Sequence, residues 1–161
     1  ADADMEQGKN ITWYPSYGAD MRGGTANCSV KISDEEISSP YCDALDVLYT
    51  LNETSIDKFE HKIRPGGLLL VNSSLTSPDR KYRDDIVVVK VPATDVAKEI
   101  NNVRGTNIVM LGALAHASTD FDVDYMRSAI DHYFAKKGKF NPKNALCFDA
   151  GVKYAAEELG E

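Results

Sequence analysis

The residues best suited to chemistry lie in the loop 14–26, YPSYGADMRGGTA. It gathers Tyr14, Pro15, Tyr17, Gly18, Arg22, Gly23, Gly24 and Thr25 between two predicted strands. Paired glycines free the backbone for close approach to a ligand. A guanidinium such as that of Arg22 grips a phosphate or carboxylate with two parallel hydrogen bonds. Tyr14 and Tyr17 offer flat faces for stacking on a planar group or a protein partner. The same residues also suit a tight connection that carries a solvated arginine, and a glycine pair beside an arginine does not decide between the two.

Three other segments carry weaker signals. Residues 63–75, IRPGGLLLVNSSL, place a Pro-Gly-Gly turn before an apolar strand and leave Asn72, Ser73 and Ser74 past its carboxyl end. Open α/β sheets bind ligands at that end, so these three are candidate lining residues; the turn also resembles that of adenosylmethionine-dependent methyltransferases. Thr94 is placed to cap a helix after Pro92. Gly112, Ala113 and Ala115 permit close helix packing. His61, His116 and His132 share no metal-ligand spacing and read as surface histidines. There is no nucleophile elbow, P-loop or complete dinucleotide fingerprint.

Alternating and continuous apolar runs define the elements that must position these groups. Strands are expected over residues 11–14, 27–33, 46–51, 68–71 and 85–91. In the second, Cys28, Val30 and Ile32 form the face expected to be buried, with Cys28 in the core. Helices are expected over 53–62, with Ile56, Phe59 and Ile63 on one face, and over 92–103, with Val96, Ile100 and Val103 inward. Further helices are expected over 107–117, over 123–137 (Val123, Met126, Ile130, Tyr133, Phe134), and over 142–159 with a break near Gly151. Buried strands joined by helices imply an α/β, Rossmann-like layered fold with a mixed, mostly parallel sheet. The early strands would pair antiparallel within it. No repeat or linker divides the chain, so one domain over 1–161 is expected.

Composition sets the outer limits. The chain has 161 residues, 43% hydrophobic and 27% charged, with a net charge of −7. That charge repels a phosphate backbone and argues against nucleic acid as partner. No run approaches the roughly 18 to 20 apolar residues of a membrane span. The start, ADADMEQGKN, has no basic and apolar signal segment, and a cytoplasmic location is expected. The three cysteines, Cys28, Cys42 and Cys147, are too scattered for a disulfide framework or a cluster site.

The order of segments resembles the gamma domain of the 2-oxoacid:acceptor oxidoreductase family, the 2-oxoacid:ferredoxin oxidoreductases. The matching blocks are TWYPSYGADMRGGTANCSVKIS (12–33), ISSP (37–40), LYTLN (48–52), RPGGLLLVNSSL (64–75), VPATDVAKEI (91–100) and NIVMLGAL (107–114). The likeness runs in order over residues 8–160, and the Tyr-Pro-Ser-Tyr-Gly block with its Met-Arg-Gly-Gly is the most specific. The resemblance implies a subunit of an enzyme that oxidatively decarboxylates a 2-oxoacid, passes electrons to ferredoxin or flavodoxin, and releases an acyl-coenzyme A. It implies alpha, beta and ferredoxin-like delta subunits as partners. Those partners would hold thiamine diphosphate, Mg2+ and the iron–sulfur clusters, and this chain would bind none of them. It has no CxxC series and no aspartate-asparagine pattern for a diphosphate-bound magnesium. The gamma domain belongs to the coenzyme A side of the site. Tyr17, Arg22, Gly23, Gly24 and Thr25 are then the candidates for coenzyme A or the interface, with Asn107 in addition, and no residue is assigned a catalytic role.

The chain departs from the family at its start. Members usually begin with a strand and a Gly-x-Gly-Gly-Gln-Gly turn leading into a helix, and residues 1–8 resemble only the end of that helix. The expectation is an N-terminally incomplete gamma domain without that strand and turn. Two rivals stand beside it: a methyltransferase-like domain, suggested by the Pro-Gly-Gly turn, and a stand-alone binding module of the same fold. Pyruvate, 2-oxoglutarate, branched-chain oxoacids and indolepyruvate are all substrates within the family, and the sequence does not choose among them.

Overall fold

A computed structural model describes residues 9–17 and 26–161. The chain forms two compact units, Ala1–Ala44 and Leu45–Glu161. In the first, strands β1 (Asn10–Tyr17) and β2 (Ala26–Ser33) pair antiparallel over their full length, from Asn10 opposite Ser33 to Tyr17 opposite Ala26. The antiparallel pairing expected of the early strands is therefore present, but as a two-stranded sheet of its own. Lys9 Nζ donates to Asp34 Oδ1 at 2.5 Å, and Lys31 Nζ donates to the Ser39 carbonyl at 2.8 Å.

The second unit contains a parallel sheet in the order β3 (Leu45–Thr50), β4 (Ile63–Asn72), β5 (Val87–Val91). Helix α1 (Glu53–Phe59), extended by a 3-10 turn over Glu60–Lys62, connects β3 to β4. Asn52 caps it, its Oδ1 accepting from the Ser55 amide at 3.0 Å. The central strand β4 is apolar on both sides because both sides are covered. Leu68 and Leu70 pack with Val89 and Val91 against α2 (Ala93–Glu99), α3 (Thr106–Ala117) and α5 (Lys143–Leu159). Leu69 and Val71 pack with Leu48, Ile63 and Ile86 against Ile56 of α1. The result is a layered α/β unit, as the sequence predicts. Helix α4 (Val123–Lys136) lies outermost, laying Val123, Met126, Ile130 and Phe134 on the core.

Four local expectations are corrected. Pro65-Gly66-Gly67 is not a turn ahead of the strand but an irregularity inside β4. Between Leu45 opposite Ile63 and Val47 opposite Leu68, β3 advances by two residues and β4 by five. Gly66 absorbs the bulge at φ 78°, donating to the Asp85 carbonyl at 2.7 Å. The helix expected over 92–103 ends at Glu99, because Asn101 turns left-handed at φ 56°. Val103 falls beyond that turn, exposed rather than inward. Gly151 does not break the last helix. A Cβ on Gly151 would lie 1.8 Å from the Val109 carbonyl oxygen of α3, and one on Gly112 would lie 2.1 Å from that of Phe148 in α5. Each glycine is the point where one helix backbone touches the other. Finally, Cys28 is exposed rather than in the core.

The connection from β4 to β5 contains no α-helix, only a 3-10 turn (Ser73–Leu75) and a loop. Two arginines hold that loop down. Arg80, 13% exposed, reaches Asp57 at 2.7 Å and Glu53 and Glu60 at 3.3 Å. Arg83 donates to the Ile63 carbonyl at 2.8 Å and grips both oxygens of Asp85 at 2.8 and 2.6 Å.

Candidate functional site

The strands β1 and β2 carry the candidate loop between them. Tyr17 ends β1, its backbone paired with Ala26. Arg22, Gly23, Gly24 and Thr25 lie outside the described residues, as do residues 1–8 where the family's helix was expected to end. The ribbon thus marks the two ends of the loop. Tyr14, the other stacking candidate, packs against Tyr41 with ring centroids 5.3 Å apart. The hydrogen bond between the two phenols, and the charge Tyr41 would carry, raise the pKa of Tyr14.

Asn107 belongs to the second unit. It is the second residue of α3, exposed, and its carbonyl accepts the Tyr49 hydroxyl at 3.1 Å. That bond ties the start of α3 to the sheet.

The carboxyl end of the sheet separates the three polar candidates that follow β4. Asn72 is fully buried and structural: its Nδ2 donates to the Leu51 carbonyl at 3.2 Å and to Thr94 Oγ1 at 2.9 Å. Thr94 is held by this contact, and the expected Thr94 cap is replaced by Pro92, which offers no side-chain bond. Ser74 Oγ accepts from the Asp95 amide at 3.1 Å. Hydrogen bonds from Ser74 and Lys98 lower the pKa of Asp95. Of the three, Ser73 borders the cavity at this end of the sheet.

That cavity, of about 350 Å3, is bounded by Ser73, Ser77, Tyr82, Lys90, Tyr154 and Glu158 among others. Lys90 Nζ sits 5.3 Å from the Tyr82 ring centre, and Glu158 accepts the Lys90 amide of the edge strand at 3.3 Å. Sequence reasoning named Ser73 but missed the other lining residues. Their one local signal was Lys90, the single charge in the run VVVKV.

His61 and His132 are exposed, and His116 is half-buried, its Nε2 2.9 Å from Glu161. Among the described residues no group of three His, Cys, Asp or Glu side chains is arranged to hold a metal. No helix among them is long and apolar enough to cross a membrane.

By its fold the second unit is a layered α/β domain with a parallel sheet. Residues 1–154 match the family model described as pyruvate ferredoxin/flavodoxin oxidoreductase, and the chain belongs to that family. It is 35% identical over 156 residues to 2-oxoglutarate synthase subunit KorC of Methanocaldococcus jannaschii, an alignment covering 96% of this chain and 82% of that one. It is 36% identical over 160 residues to ketoisovalerate oxidoreductase subunit VorA of Methanothermobacter marburgensis. That alignment covers 99% of this chain but 33% of VorA, so the chain spans about a third of the VorA relatives. Two solved structures share its fold. The gamma subunit of a keto/oxoacid ferredoxin oxidoreductase from Geobacter sulfurreducens has a TM-score of 0.78 at 24% identity, covering 96% of this chain and 85% of that one. The 2-oxoglutarate:ferredoxin oxidoreductase of Magnetococcus marinus, solved with 2-oxoglutarate, coenzyme A and succinyl-CoA bound, has a TM-score of 0.83 at 23% identity. There the match covers 96% of this chain and 27% of that one.

Proposed function

We propose that this chain is the gamma subunit, or the equivalent domain, of a 2-oxoacid:ferredoxin oxidoreductase, with residues 1–161 acting as one functional domain. The observation that carries this is the family match over residues 1–154, supported by the alignment with KorC along most of both chains. The family match also displaces the methyltransferase reading, whose Pro-Gly-Gly signal lies inside β4. Relatives are named for ketoisovalerate, 2-oxoglutarate and pyruvate, so the oxoacid is chosen elsewhere in the complex.

The chain's own part is assembly and the coenzyme A side of the site. Thiamine diphosphate with Mg2+ supplies the decarboxylation chemistry when bound, and iron–sulfur clusters carry the electrons toward ferredoxin or flavodoxin. Both belong to the alpha, beta and delta partners. The cysteines of this chain lie on β2, at residue 42 and on α5, and are exposed, half-buried and buried in turn. The purified chain is therefore expected to be colourless. Tyr17, Arg22, Gly23, Gly24 and Thr25 are the candidates for coenzyme A or the subunit interface, the role of Arg22 being to hold a phosphate of coenzyme A or a carboxylate across the subunit boundary.

The test is Arg22→Ala in the reconstituted complex. Losing one buried charge-assisted contact costs about 2–5 kcal/mol of binding. Removing a solvated side chain changes stability by no more than roughly 0.5 kcal/mol. The expected result is an unchanged melting temperature with weaker assembly or a raised KM for coenzyme A. Wild-type assembly and kinetics would return Arg22 to the role of a solvated loop residue.

A further inference from the structure

The way the chain crosses from β4 to β5 leaves room beside the sheet. Parallel strands are usually joined through a helix that packs over them. Here the connection is a 3-10 turn and a loop, and the cavity of about 350 Å3 is bounded by that loop, by β5 and by α5. It lies wholly in the second unit, where Ser73 follows the carboxyl end of β4 and Lys90 is the last residue but one of β5. Open α/β sheets take ligands at that end, and the volume is within the range of small-molecule sites. The loop wall is already fixed. Arg80 is clamped by Glu53, Asp57 and Glu60, and the Tyr82 ring centre lies 5.7 Å from the Arg80 guanidinium and 5.3 Å from the Lys90 ammonium. A ligand would not have to order this wall on binding.

The polar groups of the bordering residues are largely unused by the protein. Thr76 donates its hydroxyl to the Asn72 carbonyl at 3.0 Å. Among the described residues, the hydroxyls of Ser73, Ser77, Tyr82 and Tyr154 and the ammonium of Lys90 make no such bond, and Lys90 forms no ion pair. Four hydroxyls and an ammonium with three N–H groups form a donor set suited to an anion. Glu158 differs from them. One of its carboxylate oxygens accepts the Lys90 backbone amide at 3.3 Å, which fixes the carboxylate at the cavity and leaves the other oxygen to accept from a ligand. We propose that this cavity binds a small organic anion, a carboxylate or a phosphate monoester, that also bears a hydroxyl or amino group. Lys90 and the hydroxyls take the anionic oxygens, and Glu158 takes the hydroxyl or amino hydrogen. The same carboxylate repels a bare inorganic anion. The inference stands on the second unit's own geometry and does not depend on the subunit assignment.

The experiment titrates the full chain, labelled with nitrogen-15, and follows the Lys90 backbone amide by NMR, because that amide is bonded to Glu158 at the cavity. The probes are gluconate and L-serine as carboxylates and glucose 6-phosphate as a phosphate monoester. Hexanoate and inorganic phosphate carry the charge without the hydroxyl-bearing or amino-bearing body. The expected result is a saturable shift with at least one of the first three, at a Kd of about 1 mM or tighter, and binding of the last two weaker by roughly tenfold or more. Whether gluconate and serine or glucose 6-phosphate binds tighter assigns the anion as carboxylate or phosphate. Lys90→Gln should weaken binding by about tenfold or more, the worth of one charge-assisted hydrogen bond. Lys90→Arg, which keeps the charge, should retain most of the affinity. Glu158→Gln should erase the preference for gluconate over hexanoate. Lys139→Gln, at an exposed lysine outside the cavity, should bind as wild type. Three outcomes overturn the site: no saturable shift with any probe up to about 50 mM, wild-type affinity in Lys90→Gln, and equal binding of gluconate and hexanoate to the wild-type chain. None of them bears on the subunit assignment, which rests on the family match.

Discussion

The crossing of α3 with α5 and the ribbon of β1 with β2 both depend on side chains that avoid polarity, and they use them in opposite ways. At the crossing, Gly112 and Gly151 remove side chains so that two backbones touch, and Val109, Phe148 and Ala113 close around them at 0% exposure. On the ribbon, Trp13, Val30 and Ile32 keep their side chains and leave them 57, 44 and 39% exposed. One region satisfies its apolar surface within the chain. The other leaves part of its apolar surface exposed. Stability should therefore depend more on the first than on the second, and substitutions in the two regions should differ accordingly.

The largest stability effect belongs to the crossing. Gly151→Ala would place a methyl group 1.8 Å from the Val109 carbonyl oxygen, and backbone cannot rotate out of the way as a side chain can. The expected cost is at least ~3 kcal/mol, the upper part of the overpacking range, seen as a steep fall in the denaturation midpoint. A midpoint shift as small as that of a surface substitution would break the comparison on this side.

The arginine clamp ranks next. Arg80→Ala leaves Glu53, Asp57 and Glu60 facing one another around a vacated, largely buried position. Hydrogen bonds to charged groups are worth about 1.5–3 kcal/mol each, and part of that is lost to solvent screening at the more exposed Asp57 and Glu53. A cost of roughly 2 kcal/mol is expected in urea denaturation. Proteolysis should then cut first in the loop between β4 and β5.

A smaller effect follows pH. Hydrogen bonds from Arg83, with the adjacent positive charge, hold the Asp85 carboxyl below the ordinary aspartate range. Its folded pKa lies below its unfolded one. The contribution to stability is therefore present above the unfolded value and is lost as pH falls through the lowered folded value. Carbon-detected NMR titration should find Asp85 among the lowest carboxyl midpoints, and Arg83→Gln should return it toward the ordinary value.

The smallest stability effect is expected on the ribbon. Ile32→Thr changes an exposed side chain, so the melting temperature of the isolated chain should move by no more than about 0.5 kcal/mol equivalent. A much larger loss would show that the face is already packed within the chain.

The sequence made the helices and the parallel strands legible because their apolar periods are long and are read locally. The close packing of α3 was also legible, from Gly112, Ala113 and Ala115. Other features turned on contacts distant in sequence. Gly151 looks like a break until Val109 is seen beside it. Pro65-Gly66-Gly67 looks like a turn until β3 is aligned with β4. Arg80 meets carboxylates 20 to 27 positions away, which no local pattern announces. Alternation in 27–33 correctly divided β2 into two faces, but alternation does not say which face is covered, and Cys28 was assigned inward on that ground. The candidate loop was legible in residue type, through Arg22 between Gly-rich neighbours, and its ends now lie at Tyr17 and Ala26 of one ribbon. The cavity lined by Tyr82, Lys90 and Tyr154 was not legible, because its walls come from a loop, a strand and the last helix.

The central claim is that this chain works as a subunit of a 2-oxoacid:ferredoxin oxidoreductase. The most direct measurement is to isolate the tagged chain from its native cells with whatever remains bound, and to assay the purified assembly for 2-oxoacid- and coenzyme A-dependent reduction of ferredoxin. The account predicts a stoichiometric complex whose activity requires both the oxoacid and coenzyme A. A stable stoichiometric complex that shows no such activity with pyruvate, 2-oxoglutarate, ketoisovalerate or indolepyruvate would contradict it.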